Sequence, residues 1–187
     1  MATRLIGLAG KAGSGKTEVS RYLCENHGFH HMKFAGPLKS MIKALFWDMG
    51  YSESDIYEMV EGNSKQANMW GLSGNTPRNL MQTLGTEWGR DCLDKDFWVN
   101  ITRQKIITCP GPVVIDDTRF DNEAEMIRDL GGVVVQVDRP SGFAKLDVPH
   151  SSEDGITDDL ISDYIINNGS LDDLTEEIEG SIMLNYA

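Results

Sequence analysis

The strongest constraint on this chain is one octapeptide, Gly10-Lys11-Ala12-Gly13-Ser14-Gly15-Lys16-Thr17, which satisfies G-x-x-x-x-G-K-[ST] at every required position. It follows an apolar run at residues 5–9 and opens a segment expected to be helical from about 16 to 26. Strand, glycine loop and helix in that order make a phosphate cradle. The glycines let the backbone curl until several N–H groups point inward, and the helix contributes its positive dipole end. Lys16 would reach the β- and γ-phosphates of a nucleotide, and the Thr17 hydroxyl would ligate Mg2+. A coincidental glycine turn is the bland alternative, and it leaves the full match and its context unexplained.

The rest of the chain alternates in the same way. Further strands are expected at 30–34, 112–116, 133–137 and 164–167. Helices are expected to open at Pro37, Ser52 and Thr76, then over 95–107, from Asp121 to the Gly131-Gly132 pair, and over 171–184. Thr76-Pro77 is a strong start signal, with Thr as cap and Pro in the first turn. Strands alternating with helices imply an α/β parallel sheet covered on both faces. Residues 139–159 have no clear periodicity and read as a long loop or partly helical flap.

A chain of 187 residues is one domain by length, with room for a small appended lid, and it can bury a core without disulfides or structural metal. Cys24, Cys92 and Cys109 are too widely spaced for a disulfide framework or a zinc site, which suits a reducing compartment. The apolar runs fall far short of the roughly 20 residues a membrane helix needs. The N-terminal run is too short for a signal peptide. A cytoplasmic protein is expected.

The charge is unevenly spread. Of 29 acidic and 17 basic side chains, giving a net −12, residues 147–187 hold 11 acidic ones and no Lys or Arg, while residues 1–146 are close to neutral. Such a chain is a poor binder of nucleic-acid polymers, which demand Lys and Arg to displace condensed counterions. A small anionic ligand needs only a local cluster of donors.

Several residues could supply that cluster. Asp116 and Asp117 end the strand at 112–116, at the sheet edge where a partner for Mg2+ belongs, with Asp116 the preferred one. An acidic turn capping the next helix is the alternative, although Asp121 or Asn122 can supply that cap. Arg119 suits a phosphate through bidentate contacts, or equally a surface pair with Glu123. Arg78 and Gln82 share a helix face that is free to meet a cleft. Leu80, Leu84 and Trp88 form an i, i+4, i+8 stripe that reads as core. Gly85 and Gly89 interrupt that helix at about 1 kcal/mol each relative to Ala, a sign of close packing or close ligand approach. Arg139 and Lys145 are the cations of the flap, as in lids that close over phosphoryl transfer. His150 with Glu153 reads as structural or lid-closing, and His30 and His31 as structural.

Taken together, Phe34-Ala35-Gly36-Pro37-Leu38-Lys39, Thr76-Pro77-Arg78, Leu84-Gly85-Thr86-Glu87-Trp88-Gly89-Arg90 and Val114-Ile115-Asp116-Asp117-Thr118-Arg119-Phe120 with Asn122-Glu123-Ala124-Glu125 resemble the phage-type deoxynucleoside monophosphate kinases. These belong to the P-loop nucleoside monophosphate kinase superfamily. The stretch Asn167-Asn168-Gly169-Ser170-Leu171 is similar to the adenine-side loop of dephospho-CoA kinases and nucleoside monophosphate kinases. The Asp-Gly-x-Pro-Arg turn of adenylate-kinase-like enzymes is one residue shorter here, between Asp116 and Arg119, and lacks the Gly and Pro.

The resemblance implies a three-layer P-loop kinase fold with a helical acceptor-binding region over about 36–108 and a lid over about 139–159. It implies ATP- and Mg2+-dependent phosphoryl transfer to a deoxynucleoside monophosphate, in a host cytoplasm if the chain is of phage origin. ATP would lie on Ala12, Gly13, Ser14, Gly15, Lys16 and Thr17, with Asn167 and Gly169 on the adenine side. Thr17 and Asp116 would serve the metal. Lys39, Trp70, Arg78, Gln82, Trp88, Arg90 and Arg119 are the candidates for the acceptor, and Lys16, Arg119, Arg139 and Lys145 for catalysis. Small nucleotides are the expected partners, and a homodimer is the protein partner considered. The rivals are a dephospho-CoA kinase-like small-metabolite kinase and a nucleotide-dependent switch or assembly ATPase. The GTPase version of the switch lacks an Asn-Lys-x-Asp motif.

Overall fold

A computed structural model describes residues 5–66, 74–140 and 155–183. The chain divides into two compact units, Met1–Phe34 with Thr102–Ala187, and Ala35–Ile101. In the first unit, β1 (Leu5–Ala9) leads through the glycine loop into α1 (Lys16–His27) and the short β2 (His30–Met32). After the second unit come β3 (Val113–Ile115), α6 (Asp121–Asp129), β4 (Val133–Asp138), β5 (Asp163–Ile166) and α7 (Leu171–Ile178). A π-helical turn, Glu179–Met183, extends α7.

Among the described residues the sheet has five strands in the order β2-β3-β1-β4-β5. Every pairing is parallel, with Ile6 opposite both Val114 and Val133. The side-chain period of two sorts the strands onto two faces. Ile6, Leu8, Val114, Val135, Val137 and Ile165 pack against Val19 and Leu23 of α1 and Leu174 and Ile178 of α7. Gly7 points the other way, and a Cβ there would run into Ile127 of α6. Helices thus cover both faces, and the α/β expectation holds.

The second unit is helical: α2 (Gly36–Asp48), α3 (Glu53–Val60), α4 (Pro77–Thr83), and a π-helix, Leu84–Leu93. Its core joins Ile42 and Phe46 to Ile56, Met59 and Val60, with Leu80, Met81 and Leu84 packed alongside. Both expected caps form. Ser52 Oγ accepts from the Asp55 N–H at 3.2 Å, and Thr76 Oγ1 accepts from the Asn79 N–H at 3.1 Å. α5 (Phe97–Thr108) follows, starting two residues later than its expected position.

Three local expectations need correction. The Leu80-Leu84-Trp88 stripe does not stay on one face, because the backbone turns π-helical at Leu84 and the wider turn rotates later residues off it. Leu80 and Leu84 join the core, while Trp88 remains 38% exposed and packs edge-on against Phe97. Asp121 does not cap α6. Its carboxylate instead accepts from the Thr157 N–H at 2.8 Å and the Thr157 hydroxyl at 2.7 Å, and Glu123 receives the N–H groups at the helix start. The second strand ends at Met32 rather than Phe34, since the Phe34 N–H is drawn to Asp117.

Candidate functional site

The loop between β1 and α1 is held by its own backbone. The Ser14 N–H donates to the Lys11 carbonyl at 3.2 Å, and the N–H groups of Glu18 and Val19 donate to the Gly15 carbonyl at 2.9 and 3.0 Å. Gly10 and Gly15 adopt φ of +131° and +111°, where a side chain is strained. Space forbids one as well: a Cβ on Gly10 would meet the Val137 carbonyl, and one on Gly15 would meet the amide of Asn167.

Lys16 arches back over this loop, its Nζ donating to the Gly10 carbonyl at 2.6 Å and the Lys11 carbonyl at 2.9 Å. Burial pushes its ammonium below the ordinary lysine range and Arg119 adds to that, while Asp116 and Asp117 oppose it. The loop lysine, the two carboxylates after β3 and Arg119 therefore share one electrostatic neighbourhood. Thr17 is exposed at the head of α1, as are Ala12 and Gly13. The Ser14 hydroxyl is buried without a hydrogen-bond partner.

Asp116 lies at the carboxyl end of β3, buried, beside two basic side chains that the sequence alone does not connect to it. His31 Nε2 stands 2.9 Å from Oδ1, and Lys33 Nζ stands 3.5 Å from Oδ2. Burial alone would raise this carboxyl's pKa, but His31 and Lys33 outweigh it and hold the group below the usual carboxylate range. It is an ionised carboxylate at neutral pH. The signal for both partners was the alternation His31-Met32-Lys33 on a strand whose register sets His31 opposite Val114, two residues before Asp116. Asp117 Oδ1 accepts the Phe34 N–H at 2.8 Å. Arg119 is exposed, and its backbone N–H, not its guanidinium, donates to Glu123 at 2.8 Å.

Whether these groups suit Mg2+ can be judged from Asp116. Its buried Oδ1 accepts no well-directed hydrogen bond, so an ionised oxygen retains acceptor capacity. Among the described residues no three His, Cys, Asp or Glu side chains form a metal cage. Mg2+ bound chiefly through substrate phosphates needs only one or two protein ligands. Asp116 and the Thr17 hydroxyl fit that requirement.

At the far end of β4, Arg139 borders an open depression of about 200 Å³ lined also by Lys11, Gly13, Ser14, Asp138 and Pro140. Asn167, expected on the adenine side, turns its amide onto the loop, Nδ2 donating to the Ser14 carbonyl at 2.8 Å. Gly169 is exposed just before Ser170, which caps α7. Lys145, His150 and Glu153 of the flap lie outside the described residues, as does Trp70.

The acceptor candidates that are described lie in the helical unit. Arg78 is exposed in the first turn of α4, with Gln82 half-buried one turn later. Lys39 is ion-paired with Glu61, Nζ to Oε2, at 2.5 Å, and Lys43 reaches the same carboxylate at 3.1 Å. Arg90 reaches the Lys95 carbonyl at 3.4 Å. The two helix glycines answer to Trp98. Its indole N–H donates to the Gly85 carbonyl at 2.9 Å, and a Cβ on Gly89 would overlap its ring. Close packing, rather than a ligand, accounts for Gly89.

A family model for deoxynucleotide monophosphate kinase matches residues 50–178. A protein of Acanthamoeba polyphaga mimivirus, provisionally named a deoxynucleotide monophosphate kinase, is 36% identical over 93% of this chain and 93% of its own. The deoxynucleotide monophosphate kinase of Escherichia phage RB69 is 33% identical over 70% of this chain and 53% of that one. A gluconokinase from Sinorhizobium meliloti 1021 aligns over 97% of this chain and 92% of its own with a TM-score of 0.50 at 14% identity, a likeness of fold alone. The family model and the near full-length viral relative agree with the reading of the motifs, and the chain belongs to the deoxynucleotide monophosphate kinase family.

Proposed function

We propose that this chain transfers the γ-phosphoryl group of ATP to the phosphate of a deoxynucleoside monophosphate, giving ADP and a deoxynucleoside diphosphate. The observation that carries the reading is the shared electrostatic neighbourhood of Lys16, Asp116, Asp117 and Arg119 beside the glycine loop, in a chain of this family. The N–H groups of Gly13 to Thr17 and the positive end of α1 would hold the ATP phosphates. Lys16 exchanges its two loop carbonyls for phosphate oxygens and balances charge as the phosphoryl group moves. When bound, Mg2+ would supply positive charge against the phosphates. Thr17 and Asp116 would hold it, with His31 and Lys33 fixing the Asp116 carboxylate.

The helical region, about 36–108, would receive the acceptor, with Arg78 and Arg119 on its phosphate. Gln82, Trp88 and Arg90 remain the candidates for the base. The segment 139–159 would act as the lid, with Arg139 as its described cation. No protein nucleophile is called for, because positioning and charge stabilisation carry this kind of transfer. Small nucleotides rather than nucleic-acid polymers are the partners, and the cytoplasm of an infected cell is the place of action.

The test incubates the protein with Mg-ATP and each deoxynucleoside monophosphate separately, with dephospho-CoA and water as rival acceptors. Formation of a deoxynucleoside diphosphate supports the reading. Phosphorylation of dephospho-CoA alone, or ATP hydrolysis that no nucleotide stimulates, overturns it.

A further inference from the structure

We infer that Asn167 is a positioning residue of the phosphate loop, setting the aim of its N–H groups whichever base the nucleotide carries. Asn167 follows β5, is 7% exposed, and is tied down twice. Its backbone N–H donates to the Asp138 carbonyl at 2.7 Å, which anchors it to the end of β4. Its side-chain amide then donates to the Ser14 carbonyl at 2.8 Å, a buried bond between residues 153 positions apart.

The consequence follows from peptide planarity. The Ser14 carbonyl and the Gly15 N–H belong to one trans peptide unit, so they point in opposite directions. An amide that captures the carbonyl turns the Gly15 N–H away from Asn167 and fixes its orientation. The absent Cβ of Gly15 lets the amide come this close, since a side-chain atom there would overlap Nδ2. Asn suits the task because its backbone can pair with the strand end while a short side chain presents a donor. Asp has the same shape without the donor and would set a carboxylate oxygen against the Ser14 carbonyl. The adenine-side role implied by resemblance makes a different claim, a contact with the base, and the two separate experimentally.

The inference rests on the proposal that the loop holds nucleotide phosphates. Dissociation constants are measured for ATP, GTP and inorganic tripolyphosphate with the wild-type chain, Asn167→Asp and Asn167→Ser, alongside thermal melting and steady-state kinetics. For Asn167→Asp the affinities for all three are expected to fall by a common factor of about ten, from the cost of an unpaired buried carbonyl. KM for ATP should rise while KM for the acceptor stays put. Asn167→Ser, which keeps a shorter donor, should lose less. If Asn167→Asp fails to fold, Asn167→Ser is read by the same criteria. A loss confined to ATP assigns Asn167 to the base and overturns the inference. So does a lowered melting temperature with unchanged affinities, which marks a purely structural residue. A wild-type chain that binds none of the three removes the phosphate-loop reading itself, and the inference with it.

Discussion

In the sheet-bearing unit the phosphate loop is shaped mainly by backbone. Three glycines at positive φ, Gly10, Gly13 and Gly15, shape the loop, a carbonyl pair receives Lys16, and strand ends place Asp116 and Asn167. In the helical unit the corresponding work is done by side chains. Trp98 fills the space left by Gly89 and donates to the Gly85 carbonyl, and Glu61 gathers Lys39 and Lys43. Backbone cradles are intolerant of any change but indifferent to which base a nucleotide carries. Side-chain packing can be re-cut residue by residue, so a region built that way is suited to choosing among acceptors.

The contrast is sharpest at Lys16. Lys16→Ala should lower turnover about a thousandfold or more, the scale of losing a preorganised cation on a transferring phosphoryl group, with little change in melting temperature. An ADP-release assay with matched thermal melts checks both halves. A variant that keeps a tenth of wild-type turnover would break the contrast at its strongest point. Next in size is Gly89→Ala, which should cost about 1–3 kcal/mol of stability by forcing a methyl group into the Trp98 ring. Denaturant unfolding measures it, and no change in midpoint would mean that the ring yields.

Smaller is Arg78→Ala. An exposed arginine on the acceptor phosphate should be worth about tenfold in acceptor KM with kcat and KM for ATP nearly unchanged. An unchanged acceptor KM removes Arg78 from the site. The smallest effect concerns Glu61, whose pKa burial tends to raise but Lys39 and Lys43 pull below the ordinary 4.5. A depressed carboxyl stabilises the fold above its unfolded pKa, and that contribution disappears as pH falls through the folded value. Melting temperatures of wild type and Glu61→Gln should therefore differ near pH 7 and draw together as the pH falls below the ordinary 4.5 and through the depressed folded value. A constant gap would assign the stabilisation to packing.

The same division separates signals local in the sequence from contacts made only by the fold. The loop, Thr76-Pro77 and the Ser52 cap are signals contained within a few residues, and all three appear in place. Asp116 was visible at the end of its strand, but His31 and Lys33 were not, because their contact depends on β2 lying beside β3. The bond from the Asn167 amide to the Ser14 carbonyl is not legible either, because nothing local says that the sheet returns Asn167 to residue 14. Trp88 was misplaced for another reason. A period of 3.6 was applied to a stretch that winds as a π-helix, and the two Trp98-facing glycines that permit it were legible only as a warning.

β2 spans His30–Met32 and, among the described residues, pairs with β3 alone. A strand held from one side is among the first parts of a sheet to open locally, and amide exchange reports such openings residue by residue. When β2 opens, His31 leaves Asp116, and the buried carboxylate exchanges a protein partner for solvent. Fraying at one edge of the sheet is thus linked to how a buried carboxylate one strand away is held. The exchange rates of the β2 amides become a readout of how firmly that carboxylate is held.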